Sequence, residues 1–303
     1  MKNKRIELTK KRKGLARPKW IRGSVSWDKR FGEVRDVLKG LSLNSVCVEA
    51  ACPNRGECWQ MRHVTFMIMG QVCTRACRFC NVAGGSPTAL DSSEPQNVAA
   101  AVEKLDVKYA VITSVTRDDL EDKGAGHFIR TVREIKTNTP QVLVESLIPD
   151  FSGDAGLLKR IAFSQAEVIA HNIEVPRKLY PNVRPNADYR RSLDVLKILN
   201  AKKAEGTDIL TKSSIILGLG ESEDDIFRTL KDLKDAGVDI VYIGQYLSPS
   251  REHWPVMRYY SPEEFKSFEE EAVRMGFGAV CAGPMVRSSY RAHESYKNAL
   301  LQI

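Results

Sequence analysis

Short apolar runs alternate with amphipathic stretches from residue 65 onward. The apolar runs occupy residues 65–72, 109–115, 141–148, 167–174, 211–220 and 240–247. Apolar residues recur at helical spacing in residues 94–105, 126–138, 154–164, 187–204, 223–236 and 262–275. Asn or Asp often precedes a helical stretch and Gly often follows one, as helix caps require. The pattern therefore predicts six strands, each followed by a helix.

Six strands that alternate with helices predict parallel βα units, because parallel strands need a crossover connection. Units that close partway round an axis form an incomplete TIM-like barrel, here a partial (β/α)6 barrel. An open doubly wound sheet is the alternative, although no Gly-x-Gly-x-x-Gly motif follows the first strand. In both arrangements we expect the reactive groups at the C-terminal ends of the strands.

The composition is that of a soluble globular protein. Of the 303 residues, 43% are hydrophobic and 28% are charged, and no stretch approaches the roughly 20 apolar residues of a membrane helix. The first 20 residues are basic and lack the apolar core of a secretory signal. We therefore expect a solvated basic arm, a cytoplasmic location and no membrane. The net charge of +8 fits nucleic acid, an anionic surface or an acidic protein.

Six of the seven cysteines fall within residues 47–80, in two sets of three. The first set is Cys47, Cys52 and Cys58, and the second set is Cys73, Cys77 and Cys80. A structural zinc ion needs four ligands, usually as two close pairs, so one zinc ion held by four of the six stays an alternative. Three thiolates suit a 4Fe-4S cluster with one open iron. The second set also begins directly after the first predicted strand, where a barrel holds its reactive centre.

The sequence CTRACRFC at residues 73–80 resembles the signature of radical S-adenosylmethionine (SAM) enzymes. The resemblance implies that the second set holds a 4Fe-4S cluster whose open iron binds the amino and carboxylate groups of SAM. It also implies that Phe79 packs near the adenine. One electron then cleaves SAM to a 5′-deoxyadenosyl radical, which can remove hydrogen from carbons that no protein base could deprotonate.

Two further motifs, CVEAACPNRGEC at residues 47–58 and RSSY at residues 287–290, resemble the lipoyl synthase family. The resemblance extends over nearly the whole chain. It implies an auxiliary 4Fe-4S cluster held by the first set and Ser289, with Ser288 as the second choice. A serine pair that caps the final helix is the alternative. A hard serine oxygen should hold iron less firmly than a thiolate does, which suits a cluster that is consumed.

The reaction that this resemblance implies is sulfur insertion at C6 and C8 of an octanoyl chain on a lysine, with the auxiliary cluster as the sulfur source. The partners it implies are an octanoylated lipoyl carrier domain or H protein, an electron donor such as flavodoxin or ferredoxin, and an iron–sulfur carrier for cluster repair. Nucleic acid is not expected. A biotin synthase or methylthiotransferase relative and a non-catalytic zinc protein that binds nucleic acid are the rival interpretations.

Three parts of the chain follow from these expectations. Residues 1–62 form an extension that carries the first set, residues 63–282 form the partial barrel, and residues 283–303 form a segment that carries the RSSY serine. Several positions depart from the usual family pattern without removing a cluster ligand: Arg62, His63, Gln71, Arg78 and Asn81.

The expected SAM contacts lie in or after the predicted strands: Ser114, Glu145, Asn172, Glu174, Arg184, Gly218 and Glu221. Glu145 is included because an unpaired buried carboxylate would be costly. Arg184 is expected at the SAM carboxylate, with a surface arginine as the alternative. Gly218 and Glu221 are expected beside the adenosine, with an ordinary strand-to-helix turn as the alternative. Cys281 is expected to be a packing residue.

Overall fold

The computed structural model describes residues 15–23 and 28–302, so most of the expected basic arm lies outside the described residues. The strands are β1 (Asn44–Ser45), β2 (Thr65–Ile68), β3 (Val72–Cys73), β4 (Ala83–Gly84), β5 (Tyr109–Ser114), β6 (Leu143–Leu147), β7 (Val168–Ala170), β8 (Leu210–Leu217), β9 (Ile240–Gln245) and β10 (Ala279–Gly283). The α-helices are α1 (Lys29–Gly40), α2 (Val46–Glu49), α3 (Arg55–Gln60), α4 (Glu94–Lys104), α5 (Ala125–Asn138), α6 (Ala155–Ala162), α7 (Tyr180–Val183), α8 (Tyr189–Ala201), α9 (Glu223–Asp235), α10 (Pro262–Arg274) and α11 (Ala292–Leu300). Short 3-10 turns span Phe151–Gly153, Arg177–Leu179 and Lys202–Glu205.

The main sheet has the strand order β1-β2-β5-β6-β7-β8-β9-β10. All neighbours in it are parallel except β1, which runs antiparallel to β2. The order follows the chain without reversal, whereas a doubly wound sheet reverses at a switch point. The open alternative is therefore wrong, and the partial barrel of six βα units is confirmed. The seventh parallel strand, β10, was missed because its sequence AVCAG is short and weakly apolar.

The helices cover the outer face of the sheet. Because successive parallel strands are joined by right-handed crossovers that all advance in one direction, the helices fall on the same side. Apolar side chains such as Ile112, Phe128 and Leu230 fill the layers between sheet and helices. A separate interior cluster joins Tyr109 and Tyr242 of the sheet with side chains of α11. Among the described residues, no helix is long and apolar enough to cross a bilayer.

Helix starts follow from local chemistry. Asp154 and Asp188 cap α6 and α8, and each side chain accepts a backbone N–H of the first turn. Ser222 and Ser261 open α9 and α10 with capping boxes, in which the third helical residue bonds back to the cap. Each of these four caps ends a strand-to-helix loop near the C-terminal edge of the sheet.

The two ends of the described chain meet the barrel at different places. On the N-terminal side, β1 pairs Ser45 with Phe66 of β2, which brings the first set beside the start of the barrel. On the C-terminal side, α11 contacts β5, β9 and β10. The segment that carries RSSY therefore enters from the opposite end of the sheet order and reaches the same region.

Candidate active site

The second-set loop, residues 73–80, is closed at its base by the short strands β3 and β4. Cys73 ends β3, which pairs in parallel with β4, and the amide of Gly85 donates to the carbonyl oxygen of Cys73 at 2.9 Å. The loop therefore stands as a closed turn beyond the C-terminal end of β2, where the chemistry of a parallel barrel is expected.

Arg75 fastens this loop to the barrel. Its guanidinium makes two bonds to Asp118, both 2.9 Å long, and two to Asp150, at 2.9 and 2.7 Å. The Asp150 side chain is 1% exposed, and burial works against its ionisation. The guanidinium of Arg75 outweighs that burial and holds the pKa of Asp150 well below its usual range. Two bidentate contacts fix the position and the rotation of the loop.

The far side of the loop is held by segments that follow β7 and β9. The amide of Arg78 donates to the carbonyl oxygen of Val183 at 2.9 Å, and the amide of Trp254 donates to the carbonyl oxygen of Arg78 at 2.8 Å. The His253 ring lies 3.1 Å, Nε2 to oxygen, from the carbonyl of Cys80. Residues far apart in the chain thus enclose the loop on both sides.

The three cysteines of the second-set loop differ in their surroundings. The sulfur of Cys73 accepts the amides of Arg75 and Thr116 at 3.4 and 3.3 Å, and these two bonds fix its position. Burial raises the pKa of Cys80 to about 12 and also raises the pKa of Cys77. At neutral pH Cys77 and Cys80 are therefore thiols, and a metal ion bound by them would displace their protons.

Arg184, Asn172 and Glu174 come together beside this loop. Arg184 donates to the carbonyl oxygens of Asn172 and Ile173, both at 3.2 Å, and faces the thiol of Cys77. Asn172 donates to the Glu174 carboxylate at 3.0 Å. Burial raises the pKa of Glu174, and Arg184 opposes that rise. The bonded, inward-facing guanidinium shows that Arg184 is not a surface arginine.

Three expected SAM contacts carry buried atoms that have no hydrogen-bond partner among the described residues. These atoms are Ser114 Oγ, Asn172 Oδ1 and Arg184 Nε. Buried polar groups are normally bonded, so these three atoms, at the end of β5, just after β7 and just after α7, are candidates to contact a polar ligand. Together they offer a hydroxyl, a carbonyl oxygen and a cationic N–H, and this donor and acceptor set suits an amino acid with ribose hydroxyls.

The remaining expected contacts have protein partners. Glu145 lies inside the barrel with both oxygens bonded, to Lys212 and to Tyr109. Glu221 accepts the amides of Gly218 and Leu219 at 2.5 and 2.9 Å, so it shapes the strand-to-helix turn. Gly218 has a φ of +100°, and a Cβ there would lie 2.4 Å from the carbonyl oxygen of Arg258. Phe79, partly buried, packs against the apolar layer around β8 and β9.

The first set shares a cavity with the RSSY segment. This first-set cavity is lined by Cys47, Cys52, Cys58, Asn54, Arg55, His63, Val64, Thr65, Tyr109, Val111, Arg287, Ser289, Tyr290, Ala292 and His293. The Ser289 hydroxyl lies 2.8 Å from Thr65 Oγ1, which donates to it. Ser288 is absent from the lining. The helix-cap alternative fails as well, because the N-cap of α11 is Arg291 and no side chain caps that end.

Direct bonds join the RSSY segment to the first set. Asn54 donates to the carbonyl oxygen of Met285 at 2.6 Å, and the hydroxyl of Tyr290 donates to Glu57 at 3.0 Å. Arg291 lies 3.5 Å from the same carboxylate. Burial raises the pKa of Cys58 to about 12, with the neighbouring Cys47 adding to the effect. The cavity thus brings the Ser289 hydroxyl together with three thiols from a chain segment more than 200 residues away.

The cysteines do not form a preformed site for a single ion. Among the residues that the structure describes, no three His, Cys, Asp or Glu side chains converge as the ligands of one metal ion would. Thiolates around one zinc ion would stand within ~4 Å of one another, since each Zn–S bond is about 2.3 Å. Thiolates that hold separate corner irons of a cluster stand further apart. The alternative of one zinc ion, which needs such close ligands, therefore has no support among the described residues.

The residues that depart from the family pattern take structural partners. Gln71 donates to Asn44 at 2.7 Å, and Asn81 donates to the carbonyl oxygen of Glu49 at 2.6 Å. Both bonds join the edges of the second-set loop to the first-set segment. Arg62 lies 3.4 Å from Glu33, Arg78 bonds through its backbone as described above, and His63 lines the first-set cavity.

Sequence reasoning missed several residues that hold the site together. Arg75 and Tyr290 stand inside the quoted motifs, but their partners are distant in the chain. Asp150 lies just after the predicted third strand, in LIPD, and an acidic residue beyond a strand's C-terminal end was an available signal. Asn54 carries no signal beyond its place between two cysteines. Cys281, as expected, packs in the interior cluster.

Two kinds of comparison with known proteins, with a family model and with individual relatives, agree with each other. The model of the radical SAM superfamily matches residues 67–233. A lipoyl synthase of Rubrobacter xylanophilus is 48% identical over 93% of this chain and 87% of the relative. The lipoyl synthase of Thermus thermophilus is 46% identical over 97% of this chain and 94% of the relative.

A solved structure with the same fold is HydG, a maturase of the [FeFe]-hydrogenase. It superimposes with a TM-score of 0.56 at 14% identity, covering 77% of this chain and 54% of HydG. At that identity the likeness concerns the fold alone, and it supports the partial barrel described above.

Proposed function

The chain belongs to the lipoyl synthase family of the radical SAM superfamily, and on this premise we propose that it inserts sulfur at C6 and C8 of a protein-bound octanoyl-lysine. The sulfur comes from an auxiliary 4Fe-4S cluster held by Cys47, Cys52, Cys58 and Ser289. The observation that carries the proposal is that these four side chains line one cavity.

The family implies a 4Fe-4S cluster and SAM, which we assign to the second-set loop, residues 73–80. Once bound, they supply a radical that removes hydrogen from an unactivated carbon. Ser114, Asn172 and Arg184 are our candidates to orient SAM, since each carries an unpaired buried atom beside the loop. Glu174 and Phe79 complete the surroundings of this site. We also keep Gly218 and Glu221 in the proposal, as the residues that shape a turn beside the adenosine.

The other contacts of the loop restrain it and exclude water from it. Arg75 ties the loop to Asp118 and Asp150, and the segment around Trp254 covers it from the side of β9. A carbon radical exposed to water or to loose side chains would be quenched, so a closed and rigid surround is needed. These residues are positioning residues.

The first-set cavity suits a cluster that gives up sulfur. Ser289 offers a hard oxygen among three soft thiolates, and iron prefers to leave an oxygen before a thiolate in such a set. Thr65 donates to the hydroxyl of Ser289, which fixes its rotamer toward the cavity. Arg287 lines the same cavity and adds a positive charge near the thiolates.

The proposal extends to partners and to chain organisation. The substrate is an octanoylated lipoyl carrier domain or H protein, the electron donor is a flavodoxin or ferredoxin, and an iron–sulfur carrier rebuilds the auxiliary cluster. Complementary charge on the basic surface raises the rate of carrier association. We divide the chain at residues 1–62, 63–282 and 283–303, and place it in the cytoplasm, where thiols stay reduced.

The decisive experiment compares anaerobically purified wild type with a variant in which Cys47, Cys52 and Cys58 are all alanine. Iron and acid-labile sulfide should fall from about eight atoms of each to about four, as expected for two 4Fe-4S clusters. Mass spectrometry of an octanoyl-lysine peptide should show two added sulfur atoms with wild type and none with the variant.

The matched control replaces Cys281 with alanine, since Cys281 is a cysteine outside both sets. Its iron content and product should equal those of wild type. A colourless wild-type protein that holds zinc would overturn the proposal and favour the zinc-module interpretation.

A further inference from the structure

A buried ion pair lies inside the barrel, away from both cysteine sets in sequence. Lys212 Nζ is 2.8 and 3.0 Å from the two oxygens of Glu145, and both side chains are 1% exposed. The hydroxyl of Tyr109 donates to Glu145 at 2.8 Å. The ammonium of Lys212 also lies 4.0 Å from the ring centre of Tyr242. One ion pair thus contacts two tyrosines, which stand on β5 and β9.

Such a pair is not expected in a barrel interior on grounds of stability. Branched apolar side chains usually fill this space, and replacing a buried ion pair by apolar residues is often neutral or stabilising. Both oxygens of Glu145 are bonded to protein groups, and both side chains are 1% exposed, so the pair is closed to solvent. Such a buried and bonded ion pair restrains the orientation of its neighbours.

Both tyrosines contact the C-terminal segment and restrain it. The Tyr242 hydroxyl bonds to the carbonyl oxygen of Tyr290 at 3.0 Å and to Ser295 Oγ at 2.7 Å. The ring of Tyr109 stacks on His293, with 5.4 Å between the ring centres and 22° between the planes. Tyr290 directly follows Ser289 in the chain, so the bond to its carbonyl restrains the backbone beside the proposed ligand.

We propose that Lys212, Glu145, Tyr109 and Tyr242 form a positioning network that holds Ser289 against the first set. This inference rests on the proposed function, because it takes Ser289 as a ligand of the auxiliary cluster. Tyr242 acts most directly, through the Tyr290 carbonyl. Lys212 and Glu145 act through the two tyrosines, by fixing the ring of Tyr242 and the hydroxyl of Tyr109.

The test is Tyr242→Phe in the anaerobic enzyme loaded with ⁵⁷Fe. This change removes one hydroxyl and leaves the ring below Lys212. Mössbauer spectroscopy reports iron with an oxygen ligand separately from iron with thiolates, and a chelator measures how fast that iron leaves. We expect one iron per chain to leave about fivefold faster, the factor that one ordinary hydrogen bond represents. The other irons should leave at the wild-type rate.

The matched control is Tyr189→Phe, on the outer helix α8. Its hydroxyl donates to Asp232 at 2.8 Å, so the chemical change is the same but the C-terminal segment is untouched. This variant should release iron as wild type does. Ser295→Ala is a second variant, which leaves the Tyr290 bond of Tyr242 in place. It should speed the loss of one iron by less than Tyr242→Phe does, and it keeps the test open if Tyr242→Phe does not fold.

Ser289→Ala separates the failure of this inference from the failure of the proposed function. If Ser289→Ala leaves the spectrum and the iron release unchanged, the serine ligand itself is wrong, and with it that part of the proposed function. If Ser289→Ala changes both while Tyr242→Phe and Ser295→Ala change neither, the positioning network is wrong and the ligand assignment stands.

Discussion

The second-set loop and the first-set cavity hold three cysteines each, but they are built in different ways. The loop supplies its cysteines from eight consecutive residues and is clamped by ion pairs from Arg75 to two carboxylates. The cavity draws on residues 47–58 and on Ser289, and it is joined by hydrogen bonds and packed rings, with one partly exposed ion pair between Arg291 and Glu57. A compact centre can be rigid by local design, whereas a composite centre depends on two chain ends arriving together.

This difference has a chemical counterpart. A centre that acts as a lasting radical initiator gains from a rigid surround, since misplacement by about 1 Å can cost 100-fold in rate. A centre that gives up its atoms and is rebuilt gains from ligands that can separate. The loop is held by a buried ion pair and the cavity mainly by hydrogen bonds and one partly exposed ion pair, which matches these two demands.

The largest effect should come from removing the second set entirely, with Cys73, Cys77 and Cys80 changed to alanine. This variant should form no 5′-deoxyadenosine from SAM in the presence of reductant, because the initiating cluster is lost. The first-set triple variant should still form it, without any lipoyl product. Chromatography of the reaction mixture measures both. Equal loss of SAM cleavage in the two variants would contradict the separation of roles.

The next largest effect is expected for Arg75→Met. Breaking a buried pair from one side costs about 3–5 kcal/mol, because the remaining charge stays buried. The free energy of unfolding should fall by that amount, and the second-set loop should lose its iron. Arg117→Met is the control, since Arg117 is also buried and bonds to both carboxylate oxygens of Asp119. It should lower stability but keep about eight irons per chain; iron loss in both variants would argue against a specific clamp.

Smaller and more selective effects are expected at RSSY. Ser289→Ala should reduce lipoyl product by about 10- to 100-fold, the range found when even outer partners of metal sites are removed, while SAM cleavage persists. Ser288→Ala should behave as wild type, because Ser288 does not line the first-set cavity. Ser289→Cys should keep the iron yet yield less product, because a thiolate releases iron less readily. A full loss of product with Ser288→Ala would reverse the assignment.

The smallest effect concerns pH. The pKa of Asp150 is lowered in the folded protein by Arg75, so this carboxylate stabilises the fold fully above its unfolded pKa of about 3.9. That contribution is lost as the pH falls below about 4. The difference in unfolding free energy between wild type and Asp150→Asn should therefore be constant from neutral pH to about 5 and shrink below 4. Denaturant titrations on chelator-treated protein measure it; a difference that grows in acid would contradict the sign.

The sequence by itself determined the alternation of strands and helices, and its motifs supplied the cluster ligands that we propose. Six apolar runs spaced by helical stretches fix the alternation of strands and helices, because periodicities of 2 and 3.6 are local properties of the chain. The CTRACRFC motif could be placed at a strand end for the same reason. The short strand β10 escaped this reasoning because five small residues carry little periodic signal.

Only the tertiary structure decided how the ligands are brought together. It placed Ser289 rather than Ser288 in the first-set cavity, joined Arg75 to Asp118 and Asp150, and turned Glu145 toward Lys212. These partners stand 43 to 224 residues apart. Their pairing follows from which strands are neighbours and which faces they present, and no local pattern in the chain records that information.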